Sequence, residues 1–294
     1  MADFHGEPTR VLENQFVQLE YLANSARIVR FSSKGKGKTN LFADMGKTPV
    51  QTQYGNFYFR GGHRLWHSPE AMPRTYIPDN DGAVVREIEN GVCIDQPAEP
   101  WTHIAKSIEI RLDPIQARVF IEHELRNEGA WAVEFAPWAL TMFRLGGVGI
   151  FPQPGGNVDA AGLLPNRQIT LWPYASLDDP RLTLRDDFIL VHADPKLPPF
   201  KFGYLNRQGW SAYWLDGILF VKRFDIPAAT KPYPDGGCNV ESYCNDKFIE
   251  LETLGPLTKL EPGESVFHTE TWEIYTMLDS DLIPPDVQNL ITAM

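Results

Sequence analysis

The chain has 294 residues, 43% of them hydrophobic, with a formal net charge of −11 and a pI near 5.1. That length and apolar content predict one large β domain with an ample core, and acidity spread along the chain excludes a phosphate-backbone partner, which needs clustered Lys and Arg. No run of about 18 apolar residues marks a membrane helix, MADFHGEPTRVLENQF lacks a secretory pattern, and Cys93, Cys238 and Cys244 form an odd set without CxxC, so a reduced, cytoplasmic protein is expected.

FVQLEYL (Phe16 to Leu22) and ARIVRFSS (Ala26 to Ser33) read as strands. GKGKTN (Gly35 to Asn40) reads as a hairpin turn, since the full GxxxxGK[ST] pattern is missing, and LFADM (Leu41 to Met45) as a third strand. In FYFRGGHRLWHSPE (Phe57 to Glu70) the aromatic alternation meets Gly61 and Gly62, which predict a tight turn or bulge. Arg60, His63, Arg64 and His67 crowd around Trp66 there, the densest chemical cluster in the chain. From Ala83 to Gly129 turn signals arrive every 8–12 residues or so, the antiparallel all-β rhythm. In RVFIEHELRN, Ile121, His123 and Leu125 share a face, which makes His123 a core histidine. Pro152 to Phe200 is loop-heavy, and WSAYWLDGILFVKRFD (Trp210 to Asp225) resumes strand character. In FIELETLGP, Glu250 and Glu252 sit two apart and share one strand face, with Ile249, Leu251 and Thr253 on the other. Helical periodicity exceeds two turns only in the closing DLIPPDVQNLITAM. Without repeat or linker, residues 1–294 are expected to form one domain with a short tail from about 279.

Two stretches carry a resemblance. FIELETLGPLTKLEPGESVFHTETWEIY contains Leu251-Glu252-Thr253, Pro262-Gly263-Glu264 and His268-Thr269-Glu270-Thr271-Trp272. HELRNEGAWAVEFAPWALTMF supplies an L-x-N-x-G turn and a strand with Pro and Leu-Thr, and GGHRLW adds an arginine beside glycines. From about Phe16 to Tyr275 the chain thus resembles the galactose mutarotase (aldose 1-epimerase) superfamily, whose uncharacterised bacterial members share the ELETLGP and PGES strings. The resemblance implies an all-β, antiparallel β-super-sandwich with a sugar cleft on its concave face. It also implies ring opening by a glutamate base and a histidine acid, with no metal, nucleotide or other cofactor. Glu252 falls on the catalytic glutamate and Arg60 or Arg64 on the arginine, while His268 falls on a structural position. The family's histidine follows Leu-Thr in an LTNH string. Here Leu140-Thr141 leads into Met142-Phe143, so His63, His67 or His103 would have to supply the acid.

The residues around these positions extend the candidate site. Arg60 and Arg64, set between Phe, Gly and Trp, suit a carboxylate or vicinal hydroxyls, and with Trp66 they point to a sugar or sugar acid as ligand. Lys222, Asp235 and Glu241 are further candidates for binding, each with a plain surface or turn role as the rival. Glu250 beside Glu252 would push one carboxyl pKa upward, and such a pair also resembles a glycosidase's. His63 and His67 are four apart, a spacing that serves a metal on a helix, which the glycines oppose, so no metal is expected. Three functions remain open: anomer interconversion, non-catalytic carbohydrate binding, and a lyase or glycoside hydrolase acting on an anionic sugar.

Overall fold

The computed structural model describes residues 2–35, 39–157, 159–227 and 231–276. The helix-like tail expected from about 279, and the centre of the GKGKTN turn, lie outside the described residues. The regular structure described is strand apart from one short 3-10 turn at Arg74–Tyr76, and the strands form two antiparallel sheets.

One sheet is centred on Gly55–Ser68, Val133–Phe143, Ile249–Leu254, Val240–Cys244 and Phe200–Tyr204, hydrogen-bonded in that order. The N-terminal strands, including Val17–Leu22 and Ile28–Ser33, extend it beyond Gly55–Ser68. The other sheet runs through Trp210–Leu215, Ile218–Phe224, Ser265–Thr276, Arg118–Asn127 and Ile104–Leu112. Period-two patterning decides which side chains meet between them. In Arg118–Asn127, Val119, Ile121, His123 and Leu125 are buried while Phe120 and Glu122 face out. Phe31 and Phe143 from the first sheet meet Phe220 and Trp272 from the second in one aromatic cluster. Ring pairs of this kind are worth about 0.5–1.5 kcal/mol each beyond their buried area.

Two expectations change. In LFADM, Phe42 makes an isolated bridge, and the strand begins only at Asp44 and runs on to Thr52. The loop-heavy middle contains Phe188–His192, whose first four residues are buried. The paired glycines make a kink inside one 14-residue strand, not a turn that ends it. Arg60, Gly61 and Gly62 all take positive φ. A Cβ on Gly61 would stand 1.9 Å from the Ala43 carbonyl oxygen, and one on Gly62 would stand 2.0 Å from that of Ile28. Backbone approach on both sides therefore demands glycine here. Gly62→Ala is expected to cost on the order of 3 kcal/mol, read as a lower urea midpoint; an unchanged midpoint would show that the strand relaxes around the methyl.

Candidate functional site

Register builds the site. Arg64, Leu140, Glu252 and Glu241 stand opposite one another across four adjacent strands. The next row holds Trp66, Trp138 and Leu254, and the row on the other side holds Gly62, Met142 and Glu250. Side chains in these rows share the sheet face that points away from the second sheet. Glu250 and Glu252 do project together, as their spacing requires. Gly203, opposite Glu241, keeps the row open: a Cβ there would meet the Cys238 sulfur at 2.8 Å and Glu241 Cγ at 3.0 Å.

This face carries a cleft of about 690 Å³ lined by Phe59, Trp66, Tyr76, Trp138, Trp172 and Tyr174, with Arg64, Lys201 and Glu250 among them. The volume lies in the range of small-molecule sites, and an aromatic wall with a few charged groups is their usual composition. Glu252 is wholly buried beneath two of these lining residues. Its Oε2 accepts hydrogen bonds from Trp138 Nε1 at 2.8 Å and Lys201 Nζ at 3.0 Å, while its Oε1 has no partner. Lys201 Nζ also sits 2.7 Å from Glu241 Oε2, and 4.7 Å from the ring centroids of both Trp138 and Trp172. Burial would lower the Lys201 pKa, but Glu252 and Glu241 outweigh it and hold the ammonium well above its ordinary value. Burial pushes the Glu241 carboxyl well up, with Glu252 adding to the rise and Lys201 opposing it.

Arg64 is built the same way. Its Nη2 donates to Glu250 Oε1 at 2.8 Å, its guanidinium lies 4.1 Å from the Trp66 ring centroid, and Nε and Nη1 are unpartnered. Burial raises Glu250 to about 7, with Glu252 adding and Arg64 opposing. The native state therefore holds this proton more tightly than the unfolded chain. Glu250's contribution to stability is full below its unfolded value of about 4.5 and is lost as pH rises through about 7. Glu250→Gln is thus expected to gain stability relative to wild type between pH 5 and pH 8, measured as urea midpoints. A constant difference across that window would mean that Glu250 keeps an ordinary pKa.

The cationic cluster does not stay together, because alternate residues of a strand face opposite ways. Arg64 and Trp66 face the cleft; His63 and His67 do not. His67 Nε2 lies 3.4 Å from Glu99, which Lys106 also contacts, and burial lowers the imidazole pKa. Arg60, at the kink, makes hydrogen bonds to Glu7 and Asn80 and an ion pair with Asp79. His103 is exposed in the turn before Ile104–Leu112. Among the described residues no histidine lines the cleft, so the expected substitute acid is not supplied by His63, His67 or His103.

His63 and Lys222 instead lie between the sheets in a buried polar network. Lys222 Nζ is 2.9 Å from Glu270 Oε1 and donates to Thr141 Oγ1 at 2.7 Å. His63 Nδ1 is 2.8 Å from Thr141 Oγ1, and its Nε2 is 2.7 Å from His123 Nε2. His123 Nδ1 donates to the His268 carbonyl at 2.8 Å, which fixes the proton order. With burial pushing His63 well below and His123 below the ordinary value, both rings are neutral. His123 Nε2 then accepts from His63, whose Nδ1 accepts from the Thr141 hydroxyl. Lys222 is therefore a core cation and not a cleft residue. His63, His123 and Glu270 have ligand atoms within 4.8 Å of one another. Both Glu270 oxygens already serve Lys222, Thr253 and Trp272, however, and the adjacent ammonium would repel a cation.

Asp235 is at one end of the cleft, in the left-handed region at φ 52°, where its Oδ2 accepts from Ser68 Oγ at 3.2 Å. Glu241 faces the same end. Lys201 and Trp172 were missed by sequence reasoning. Lys201 did leave a signal, a charge between Phe200 and Phe202 in LPPFKFGY.

No protein-family model matches the sequence, and no curated protein does. Solved structures do. A galactose mutarotase-like protein from Lactobacillus casei superposes with a TM-score of 0.61 at 10% identity, over 91% of this chain and 100% of its own. A galactose mutarotase related enzyme from Lactobacillus acidophilus gives 0.61 at 10% identity, over 94% and 100%. A TPR-domain containing protein from Parabacteroides distasonis gives 0.65 at 13% identity over 95% of this chain, which spans about half (49%) of that protein's length. At such identities the likeness is one of fold: the chain has the galactose mutarotase-like β-sandwich.

Proposed function

We propose that the chain binds a reducing sugar in the cleft on its larger sheet and interconverts the anomers. The observation that carries this reading is the pair of carboxylates on one strand face, Glu250 and Glu252, beside an aromatic cleft of about 690 Å³. Two residues along a strand span about 7 Å, so both carboxyls can address the oxygens on one anomeric carbon. Glu252, next to the Lys201 ammonium, takes the proton of the anomeric hydroxyl at its unpartnered Oε1. The carbonyl forms, the bond from the anomeric carbon to the ring oxygen breaks, and that oxygen receives the electron pair. Glu250, part-protonated near pH 7, gives it a proton. Rotation and closure by the reverse transfers yield the other anomer and restore both carboxyls. Arg64 holds Glu250 in place and is itself stacked on Trp66 in the cleft wall.

A second reading, binding without turnover, is favoured by one observation: Glu252 is engaged by both Trp138 and Lys201. The lyase reading loses its support, because Arg60 and His67 are not beside Arg64 in the cleft. Exchange NMR on dissolved α-glucose and α-galactose separates anomer interconversion from binding without turnover. Anomer exchange above the uncatalysed rate is expected for at least one sugar; saturable binding without faster exchange would leave a binding protein.

A further inference from the structure

The cleft does not end at Lys201. Past it lies a second compartment of about 330 Å³ that shares Glu70, Trp138, Trp172 and Lys201 with the main one and adds Ala71, Met72, Asp235 and Glu241. Lys201 sits at the junction, held between the two indoles. We propose that this compartment is a second sugar subsite, so that the ligand is at least two rings long. This rests on the reading of the main cleft as a sugar site and names the class of sugar it takes.

Three observations carry it. A single hexose, with its twelve heavy atoms, is smaller than the drug-sized ligands that the main volume alone accommodates. Trp138 and Trp172 line both compartments, so the aromatic wall of the main cleft continues past the boundary at Lys201. The far compartment also holds unused hydrogen-bonding capacity. Glu241 is wholly buried, and its Oε1 has neither a hydrogen bond nor the Lys201 contact that Oε2 makes. A buried carboxyl oxygen left without a partner costs free energy, and a ring hydroxyl entering this end can pair with it by donating or accepting. Asp235 and the exposed Glu70 add acceptors nearer the mouth, whereas the main compartment is furnished with Arg64. The two ends thus differ in character: cation and carboxyl where the ring opens, acceptors where the second ring would rest.

Calorimetric titration of the full chain with glucose and galactose, and with the reducing disaccharides cellobiose, maltose and lactose, tests this. At least one disaccharide is expected to bind about tenfold or more tightly than either hexose. Ala71→Phe, which fills the second compartment from a segment outside the sheets, is expected to erase that gain and leave hexose binding unchanged. Asp235→Asn, which keeps the volume, is expected to reduce the gain in part, and it serves should Ala71→Phe fail to fold. Equal affinity for hexoses and disaccharides, or a gain that survives both variants, overturns the second subsite while leaving the main cleft's reading intact. Absence of heat with every sugar overturns both.

Discussion

Replacing Glu252 by glutamine is expected to slow anomer exchange by about 10²–10³-fold while leaving the fold in place, because the step loses its base. The glutamine carbonyl can still accept from Trp138 Nε1, and volume is conserved. Lys201 is not stranded either. Glu241 lies 2.7 Å from it, and one cause of Glu241's raised pKa is the negative charge on Glu252. With that charge gone, Glu241 ionises more easily and becomes the counter-ion. A melting temperature within a few degrees of wild type, with exchange at the uncatalysed rate, is the expected result. Equal exchange by both proteins would remove Glu252 from the chemistry.

Replacing Lys222 by methionine is expected to damage the fold and not the site, with a loss of about 3–5 kcal/mol of stability at neutral pH. Burial alone would raise the Glu270 carboxyl, but the Lys222 ammonium holds it well below the ordinary range. Without the ammonium a charge is left in the core between the sheets. The pH dependence follows from the depressed native pKa. Stability from this pair is present above the unfolded carboxylate value of about 4.5 and is lost as pH falls. The deficit of Lys222→Met should therefore shrink in acid. Adding Glu270→Gln should recover part of it at neutral pH, since the amide still accepts from Trp272 Nε1, 2.7 Å from Glu270 Oε2. Additive losses in the double variant, measured by urea unfolding, would show that the two groups are not coupled.

The architecture was legible because β patterning is local: alternation in RVFIEHELRN and the Glu250–Glu252 spacing place side chains on faces without knowledge of any partner strand. The family resemblance, not alternation, singled out LET, in a central strand of the larger sheet, and HTETW, in a central strand of the second. What alternation also required, and the cationic cluster concealed, was the division of GGHRLWH. Four cations within eight residues look like one site, yet in a continuous strand His63 and His67 must face opposite to Arg64 and Trp66. Reading the glycines as either a turn or a bulge left that constraint open. Lys222 was legible as a strand residue, but its face depends on a pairing register with Trp272 that no local pattern states. Lys201 lay just past the segment read as loop, which ends at Phe200, and before the strand read from Trp210. Its importance comes from Glu241 and Glu252 on neighbouring strands, a non-local fact.

Indole N–H resonances test most directly whether the cleft is a sugar site. Trp138 Nε1 bonds to Glu252 beneath the cleft, while Trp272 Nε1 bonds to Glu270 between the sheets, so the molecule carries its own control. In a ¹H–¹⁵N spectrum, titration with glucose, galactose and the three disaccharides is expected to shift the Trp138 indole signal saturably with at least one sugar while Trp272 stays in place. Spectra in which Trp138 never moves, or in which only an indole outside the cleft such as the 82% exposed Trp131 responds, would contradict the account.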